Sequence, residues 1–267
     1  MIRVLVTGSS GRLGSAVCAA LERDGLTVRG TDRAPGAYTQ VVSDLARLRP
    51  GDLAGIAAIV HTAALHAPHV GAVSDAEFWR VNVDATAHLL ELAGPRRVVY
   101  TSTTSVYGHA LVPNDEAVWV TEALPPRPRD VYDDTKLAAE RLVAAAPHAI
   151  VLRMARSFPE PARDLAVYRM HRGVALDDVV AAHLAAIRST ATGILNVAGP
   201  YQFRPGDAAQ LWSDAPAVIA ARYPGVAEAF AARGWRLPDR IDRVYASDAA
   251  QAALGWRPLR GVASLLD

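Results

Sequence analysis

The sequence predicts an α/β fold in which helices cover both faces of a doubly wound parallel sheet, and three observations predict it. Short apolar runs rich in β-branched residues alternate along the chain with stretches of helical periodicity. A glycine-rich turn directly follows the first of these runs. The 267 residues, of which 51% are hydrophobic, are enough to bury one large core with a small appended lobe.

Seven apolar runs are predicted as strands, and helices are predicted between them. The strands are expected near residues 2–7, 27–31, 40–42, 57–62, 97–103, 149–153 and 194–197. Two long helical tracts are expected at residues 76–92 and 133–145. Beyond Gly199, proline and glycine interrupt short alanine-rich helices.

The turn after the first strand reads Gly-Ser-Ser-Gly-Arg-Leu-Gly, and a helical stretch follows it. Glycines allow a tight turn and a close approach of the backbone to a pyrophosphate, whose charge the helix N-terminus can bind. The turn therefore predicts a dinucleotide site. Its expected contacts are Gly8, Ser10, Gly11, Arg12, Leu13 and Gly14.

An acidic residue, Asp32, follows the second strand, 24 positions after the first glycine of the turn. Its carboxylate can accept hydrogen bonds from both ribose hydroxyls and would repel a 2′-phosphate, so NAD is favoured over NADP. Arg33 leaves the alternative open, because an arginine there could hold that phosphate.

Two further pairs of residues are interpreted as cofactor contacts. Asp44 and Leu45 follow the third strand and suit a contact to the adenine edge, although Asp44 could equally cap a helix. Ala63 and Ala64 end the fourth strand, and such small side chains would let the cofactor lie close to the backbone; they could also serve packing alone.

The only lysine of the chain, Lys136, lies four positions after Tyr132, and the other 27 basic residues are arginines. Residues i and i+4 share one face of a helix, so the ammonium would lie beside the phenol and favour phenolate. A compact ammonium can also donate hydrogen bonds to a ribose. We interpret the pair as a tyrosine that works as a base near neutral pH.

The fifth strand ends in a cluster of hydroxyl-bearing residues, Thr-Ser-Thr-Thr-Ser at 101–105. A hydroxyl beside the phenol can hold a substrate oxygen while its proton leaves. A solvated loop is the alternative. Because 24 residues separate Tyr107 from Tyr132, the chain can fold back and bring both segments to one crevice.

Together these motifs resemble the extended short-chain dehydrogenase/reductases and, within them, the NAD-dependent epimerase/dehydratase group. The features that carry the resemblance are the glycine turn, Asp32, Ala63-Ala64, Asn82, residues 101–108, and Tyr132 with Lys136. The resemblance implies a Rossmann-type doubly wound parallel sheet with a small C-terminal substrate-binding lobe. It implies one domain over 1–267, with an NAD-binding core at about 1–155, and mainly a substrate lobe with returning core elements at about 156–267.

The resemblance also implies hydride transfer at a carbohydrate carbinol with NAD. It assigns Tyr132 as the acid/base, Lys136 as its modulator and ribose ligand, and Thr103 as the partner of the substrate hydroxyl. Asn82 would support the cofactor pocket by hydrogen bonding, although it could simply cap or pack.

The neighbours of Thr103 are further candidates for contact with the substrate. Ser102 and Thr104 flank that position, so a shift of one residue would exchange them for it. Thr104 and Ser105 are expected to touch substrate.

The chain departs from the family pattern after the tyrosine, where a small residue is usual and Asp133-Asp134 follows. Both acids would oppose phenolate formation if they pointed inward. We expect them to face solvent in the first helical turn, where carboxylates suit the helix dipole.

Two segments after the predicted sixth strand, at 157–161 and 168–170, show a second resemblance, which concerns substrate recognition. Ser-Phe-Pro-Glu-Pro at 157–161 and Tyr-Arg-Met at 168–170 are similar to uronate dehydrogenases, in which an arginine holds the sugar carboxylate. Arg156 and Arg169 are therefore candidates to grip an anion; surface pairs with Asp164 or Asp177 are the alternative.

His66 and His69 follow the fourth strand, and either could hydrogen-bond the substrate or relay protons. No metal is expected, because the two histidines lack further clustered ligands and the sole cysteine, Cys18, belongs to the apolar face of the first helix.

Charge and composition limit the classes of partner that the sequence predicts. The net charge is +1 and no lysine-rich tract occurs, so neither nucleic acid nor a membrane surface is expected as a partner. One cysteine allows no internal disulfide, no secretory signal precedes the first strand, and no apolar run approaches the ~20 residues of a membrane span. We expect a cytoplasmic protein. The resemblance implies a carbohydrate or sugar nucleotide as the substrate, and it implies a homodimer, because such a pair of long helices forms a dimer interface in related enzymes.

Three reactions remain open from the sequence. A dehydrogenase would stop after one hydride transfer, an epimerase would return the hydride to the other face, and a dehydratase would add loss of water. A Rossmann protein that binds NAD(H) without turnover is the alternative from another class.

Overall fold

Seven parallel strands form the central sheet, in the order β3-β2-β1-β4-β5-β7-β8. A computed structural model of the protein describes residues 3–112 and 114–266. In chain order the strands are β1 (Arg3–Thr7), β2 (Thr27–Asp32), β3 (Thr39–Val42), β4 (Ile56–His61), β5 (Arg97–Thr103), β6 (Val118–Val120), β7 (Ala149–Met154), β8 (Gly193–Val197) and β9 (Arg243–Tyr245). The predicted fold class is confirmed.

The predicted strands agree with the observed ones to within one residue at each end. Ile2, the first residue of the predicted first strand, lies outside the described residues. The agreement follows from composition, because a buried parallel strand is a nearly continuous run of apolar, mostly β-branched residues.

Ten helices surround the sheets. They are α1 (Arg12–Arg23), α2 (Asp75–Trp79), α3 (Ala85–Ala93), α4 (Val131–Ala144), α5 (Ala162–His171), α6 (Leu176–Arg188), α7 (Ala208–Ser213), α8 (Ala215–Arg222), α9 (Val226–Ala232) and α10 (Asp248–Leu254) in the described part of the chain. The predicted tract at 76–92 is α2 and α3 joined by a π-helical turn, Arg80–Asp84.

Successive residues of a central strand contribute to two different hydrophobic layers, one on each face of the sheet. In β1, Val4 and Val6 pack with the layer that includes α1 and α6, whereas Leu5 packs with the layer that includes α3 and α4. Because successive side chains of a strand point to opposite faces, both faces of the sheet are buried.

The strand order reverses between β1 and β4, which both pair with neighbours in parallel. In an open parallel sheet, this reversal leaves a crevice outside the carboxyl ends of the strands, where ligands bind. The glycine turn, Asp32, the alanines after β4 and the hydroxyl cluster after β5 all lie at these ends.

The C-terminal part of the chain forms a third hydrophobic cluster, to which α5, α8 and α9 contribute Met170, Ile219 and Phe230. A small parallel sheet of β6 and β9 joins this cluster to the main body. β8 returns to the central sheet beside β7. The boundary near residue 155 stays a prediction. No helix in residues 3–112 and 114–266 is long and apolar enough to cross a membrane.

Candidate active site

A cavity of about 790 Å³ extends along the carboxyl ends of the strands. Its walls include the glycine turn, the segments after β2, β3, β4 and β5, and residues of α4. On the opposite side it reaches Arg156, Arg172, Arg243 and Tyr245. One continuous space therefore joins the predicted cofactor segment to the predicted catalytic segment.

The glycine turn has a shape that only glycine permits. Gly8 has φ +72°, and a Cβ there would lie 2.8 Å from the backbone nitrogen of Ala63. A Cβ at Gly14 would overlap the carbonyl group of Gly8. The N-terminus of α1 has no side-chain cap and no acid in its first turn. Its backbone N–H groups are thus available to an anion, which is what a pyrophosphate requires.

Asp32 ties this turn to the end of β2. Its Oδ2 accepts a hydrogen bond from the backbone nitrogen of Ser10 at 3.0 Å, and its Oδ1 accepts one from Ala34 at 3.0 Å. The carboxylate lines the cavity and retains acceptor sites for ribose hydroxyls. The residues present therefore fit a dinucleotide.

Asp44 serves as a cap. Its Oδ1 accepts from the backbone nitrogen of Ala46 at 3.0 Å, while its Oδ2 pairs with Arg80 Nη2 at 3.0 Å. Both oxygens are engaged, which favours the capping alternative over a contact to adenine, although Asp44 and Leu45 both border the cavity. Arg33, which also borders it, lies 3.5 Å from Glu77 Oε1.

Asn82 stands behind the cavity wall and does not line it. Its Oδ1 accepts from the backbone nitrogen of Leu65 at 2.7 Å, and its Nδ2 donates to the Leu65 carbonyl and to Thr135 Oγ1, both at 3.1 Å. The π-helical turn places this amide between the loop after β4 and helix α4. Asn82 therefore holds the wall that Ala63 and Ala64 form.

Tyr132, Lys136 and Thr103 meet at the cavity. Helix α4 begins at Val131 because Asp130 caps it, accepting from the backbone nitrogen of Asp133 at 3.0 Å. Tyr132 and Lys136 are then one turn apart and only 8% and 3% exposed. Thr103 is the last residue of β5, which presents its hydroxyl to the same space.

Burial dominates the electrostatics of Tyr132 and Lys136. Burial raises the pKa of Tyr132, while a hydrogen bond with Thr103 acts in the opposite direction. Lys136 Nζ donates to the Thr101 carbonyl at 2.7 Å and lies 4.2 Å from the centroid of the Tyr100 ring. Burial lowers the pKa of Lys136 to about 7. Burial therefore opposes the charged forms of both groups, and the effect of Lys136 on the phenol stays a prediction.

The hydroxyl cluster divides into separate roles. Ser102 lines the cavity, but its Oγ is engaged in donating to Glu140 Oε1 at 2.5 Å. Thr104 is buried and lines the cavity. Ser105 also lines it and contacts both Thr103 and Asp133.

The expectation that Asp133 faces solvent is wrong. It is 0% exposed, whereas Asp134 is exposed as predicted. Asp133 Oδ1 accepts from Ser105 Oγ at 2.5 Å, and Oδ2 pairs with Arg129 Nε at 3.1 Å. These two partners lie outside α4, so helical spacing alone could not reveal them.

The two histidines after β4 border the cavity. The ring centroid of His66 lies 6.3 Å from that of Tyr132, which places it beside the phenol. His69 Nδ1 accepts from the backbone nitrogen of His66 at 3.0 Å and so closes a short turn. His66 is thus the nearer of the two to the predicted reaction site.

Of the two arginines predicted to grip an anion, only Arg156 lines the cavity. It pairs with Glu160, with Nε 2.6 Å from Oε1, and lies over the Tyr168 ring. Arg169 donates to the Arg260 carbonyl at 3.0 Å and is not among the lining residues. The placement of Arg169 at the substrate is therefore corrected, because α5 turns it toward the C-terminal segment.

Two arginines that the sequence analysis missed line the cavity instead, Arg172 and Arg243. The Arg172 guanidinium lies 4.2 Å from the centroid of the Tyr168 ring, and its Nε is buried without a hydrogen-bond partner in the described structure. Arg243 is the first residue of β9, which pairs with β6, and its guanidinium pairs with the neighbouring Asp242. Among 27 arginines no local pattern singles these two out.

A buried ion pair behind the site was also missed. Arg153 donates to Glu140, with Nη2 2.6 Å from Oε2 and Nε 3.0 Å from Oε1. Arg153 Nη1 also donates to the Tyr107 hydroxyl at 3.0 Å. The available signal was the spacing of Glu140, four residues after Lys136 on one face of α4.

Comparisons with known proteins agree with this architecture. Residues 4–158 match the NAD dependent epimerase/dehydratase family. The resemblance to the short-chain dehydrogenase/reductases that the motifs indicated is therefore confirmed.

Two curated relatives align with this chain over different shares of its length. A 3-beta-hydroxysteroid dehydrogenase of Mycolicibacterium neoaurum is 35% identical over 158 residues, which are 53% of this chain and 42% of that protein. The chain thus spans less than half the length of that relative. A 3-diazoavenalumate denitrifying reductase of Streptomyces sp is 30% identical over 301 aligned positions, covering 96% of both chains.

Among solved structures, MoeE5 in complex with UDP-glucuronic acid and NAD superposes with a TM-score of 0.71 at 25% identity. The superposition covers 99% of this chain and 96% of that chain. The likeness extends through the C-terminal part, where the family match has ended.

Proposed function

Because the chain belongs to the NAD-dependent epimerase/dehydratase family, we propose that it catalyses NAD-dependent hydride transfer at a carbohydrate carbinol, with Tyr132 as the acid/base. The observation that carries the proposal is the convergence of Tyr132, Thr103 and Lys136 in the cavity that the glycine turn and Asp32 also line. The reacting groups and the cofactor segment line one continuous cavity, so a bound substrate and cofactor can be held close together, as hydride transfer requires.

The backbone of the glycine turn and the N-terminus of α1 would hold the pyrophosphate, and Asp32 would accept from the ribose of the adenosine half. Lys136 would donate to the ribose next to the reacting end. NAD, when bound, supplies the acceptor or donor of the hydride. Asp32 favours NAD over NADP, because its carboxylate would repel a 2′-phosphate.

Thr103 would hold the substrate oxygen while Tyr132 takes or returns its proton. Burial raises the pKa of Tyr132, so phenolate forms at neutral pH only with stabilisation from its neighbours. The Thr103 hydroxyl already supplies part of that stabilisation. The protonated form of Lys136 would supply the rest, because a positive charge nearby favours phenolate.

Three arginines line the far end of the cavity: Arg156, which pairs with Glu160, Arg243, which pairs with Asp242, and Arg172, whose Nε has no hydrogen-bond partner in the described structure. They support an acidic carbohydrate or a sugar nucleotide as the substrate. The neighbour MoeE5 was solved with UDP-glucuronic acid, which carries both kinds of negative group.

The first experiment tests cofactor and chemistry together. Freshly purified protein is denatured and the released nucleotide is identified by chromatography, and native protein is then incubated with NAD and UDP-glucose, UDP-glucuronic acid or glucuronic acid. NADH formation indicates a dehydrogenase, whereas a changed sugar without net NADH indicates an epimerase. Release of NADP would contradict the interpretation of Asp32.

Tyr132→Phe should abolish turnover and leave NAD affinity nearly unchanged, because it removes only the phenolic hydroxyl. Tyr201→Phe is the matched control, since that hydroxyl contacts Asp248 at 2.5 Å and does not line the cavity. A Tyr132→Phe enzyme that works at the parental rate would refute the proposal. NAD binding without turnover of any substrate would favour a non-catalytic Rossmann protein.

A second candidate reaction follows from one comparison. The relative that aligns over 96% of both chains is named as a 3-diazoavenalumate denitrifying reductase, so reduction of such a substrate with NADH is the alternative. Consumption of NADH with 3-diazoavenalumate, and with none of the carbohydrates, would favour it.

We also propose a homodimer through the two long helical tracts. The proposal follows from the family resemblance, and Trp79 of α2, which is 43% exposed, offers a position at which to test it. Sedimentation of the parent and of Trp79→Glu tests this proposal, and a monomeric parent would contradict it.

A further inference from the structure

The buried carboxylate of Asp133 stands where the family pattern has a small residue, and its two oxygens hold two different side chains. Oδ1 accepts from Ser105 Oγ at 2.5 Å. Oδ2 accepts from Nε of Arg129 at 3.1 Å and from the Arg129 backbone nitrogen at 3.3 Å. A buried charge is tolerated only where such donors replace its lost hydration. Both donors line the cavity, so Asp133 fixes two parts of the cavity wall.

Arg129 is held at this wall by more than its ion pair. Its aliphatic part lies over Gly108, where an added Cβ would come 2.8 Å from Arg129 Cγ and 3.2 Å from Cδ. The backbone of Arg127, two residues earlier, donates to the Val106 carbonyl at 3.0 Å and accepts from His109 at 2.8 Å. The segment before α4 is thus fixed against the turn after β5.

The guanidinium of Arg129 keeps its terminal edge available. Nε is engaged by Asp133, whereas Nη1 and Nη2 make no hydrogen bond within residues 3–112 and 114–266. The side chain is 46% exposed and belongs to the cavity wall. Nη1 and Nη2 form an edge with which a guanidinium binds a carboxylate through two parallel hydrogen bonds. An arginine with five N–H donors can therefore bridge two carboxylates, one at Nε and one at this edge.

This edge belongs to the reaction end of the cavity. Ser105, which shares the carboxylate of Asp133 with Arg129, lies 3.2 Å from Thr103 Oγ1. Tyr132 precedes Asp133 in the first turn of α4. Because Ser105 gives its proton to Asp133, its hydroxyl can only accept from a ligand, whereas the guanidinium can only donate. A carboxylate carried near a hydroxyl group complements this pair.

We propose that Arg129 determines substrate specificity by binding a carboxylate that the substrate carries near its reacting carbinol, and that Asp133 positions Arg129 for this contact. The inference rests on the proposed function and narrows its substrate class to acidic carbohydrates. Asp133 acts only as an acceptor of hydrogen bonds. Its negative charge also spares the guanidinium from being a lone cation while the cavity holds no substrate.

The binding test uses two matched pairs of probes that differ only in a carboxylate in place of a hydroxymethyl group. The pairs are UDP-glucuronic acid with UDP-glucose, and glucuronic acid with glucose. Calorimetry measures their binding to protein saturated with NAD. The acidic member should bind about 10-fold or more tightly, as expected for hydrogen bonds to a charged group. Equal binding within both pairs, or binding of none of the four probes, would overturn the assignment.

Arg129→Gln should abolish this preference by weakening the acidic probes and leaving the neutral probes unchanged. Arg127→Gln is the matched control, because Arg127 is exposed and does not line the cavity, and it should keep the parental preference. Arg129→Lys should keep only part of it, since an ammonium has the charge without the planar edge. Equal weakening of acidic and neutral probes in Arg129→Gln would mean that the arginine only shapes the loop, which contradicts the proposal.

The positioning role of Asp133 is tested without any substrate. In NMR spectra of the arginine Nε–H groups, the Arg129 signal is identified by its loss in Arg129→Lys. It should be protected from solvent exchange in the parent and in Asp134→Ala, and lose that protection in Asp133→Ala. A signal that exchanges freely in the parent would refute the positioning role. Arg129→Gln alters a half-exposed side chain, so the test of specificity does not depend on whether Asp133→Ala folds.

Failure of this proposal and failure of the proposed function give different results. An Arg129→Gln variant that retains the acidic preference, together with an inactive Tyr132→Phe, leaves the acid/base assignment intact and overturns only the carboxylate site. A fully active Tyr132→Phe removes the acid/base assignment, while a preference for acidic probes that Arg129→Gln abolishes would still establish the site.

Discussion

Replacing Glu140 by glutamine should destabilise the protein strongly. Glu140 is 1% exposed and accepts hydrogen bonds from Arg153 Nε at 3.0 Å, Arg153 Nη2 at 2.6 Å and Ser102 Oγ at 2.5 Å. Glutamine keeps the shape but removes the charge and turns an amino group toward the guanidinium. Arg153 would then be a buried cation without its partner, which costs about 3–5 kcal/mol of unfolding free energy.

Thermal and urea unfolding measure this loss. For a chain of this size, 1 kcal/mol corresponds to about 2–4 °C in Tm, so Glu140→Gln should lower Tm by roughly 6–20 °C. The double variant Glu140→Gln with Arg153→Met removes both charges and should recover much of the loss, because neutral groups of similar volume carry no desolvation penalty.

The outcome separates two explanations of the pair. A loss below about 1 kcal/mol in Glu140→Gln would mean that the charges are effectively solvated, and the reasoning from burial would be refuted. Strict additivity in the double variant would equally show that the two groups do not interact.

The same substitution should alter the active site from behind. The charge of Glu140 opposes the effect of burial on Lys136, whose pKa is about 7. Its removal should lower that pKa further, so that Lys136 loses its proton at a lower pH. The high-pH limb of NAD binding or turnover should then move to lower pH.

Three further outcomes test other parts of the structure. Gly14→Ala should weaken NAD binding in calorimetry and destabilise the fold by about 1–3 kcal/mol, because its Cβ would overlap the Gly8 carbonyl, whereas Gly51→Ala, which meets nothing within 4 Å, should be neutral. Asp32→Ala should narrow the preference for NAD over NADP in a competition assay, and an unchanged preference would count against its contact with the ribose. Burial lowers the pKa of His183 to about 4 from 6.5, so its neutral form is favoured in the fold and stability should fall as pH drops below about 6.5. Between pH 7 and pH 5, the loss from this one histidine is about 2 kcal/mol, and His183→Gln should show a correspondingly smaller fall in Tm over that range.

Local patterns were enough for the sheet, because a buried parallel strand is recognisable from its composition alone. The family followed from a few spaced residues, such as the glycine turn and the single lysine after Tyr132. Helix α4 was predicted from residue 133, although its cap at Asp130 starts it two residues earlier at Val131. The cap was not recognised, since proline and charged residues surround it.

The surroundings of individual charged side chains were harder to predict from the sequence. Asp133 was assigned to solvent on the basis of helix dipole preference, and the turn after β5 covers it instead. Arg169 was assigned to the substrate from a three-residue likeness, yet α5 directs it toward Arg260. Both errors concern contacts between segments at least 28 residues apart, which spacing along one element does not report.

By itself the sequence determined the parallel α/β fold, the family and the position of the dinucleotide turn, because these depend on periodicity and on short motifs whose geometry is local. Only the tertiary structure decided which charges are buried, which hydroxyls contact Tyr132 and which arginines reach the cavity. The physical reason is that burial and the hydrogen-bond partner of a side chain are set by whichever distant segment packs against it, and that packing is a property of the whole fold.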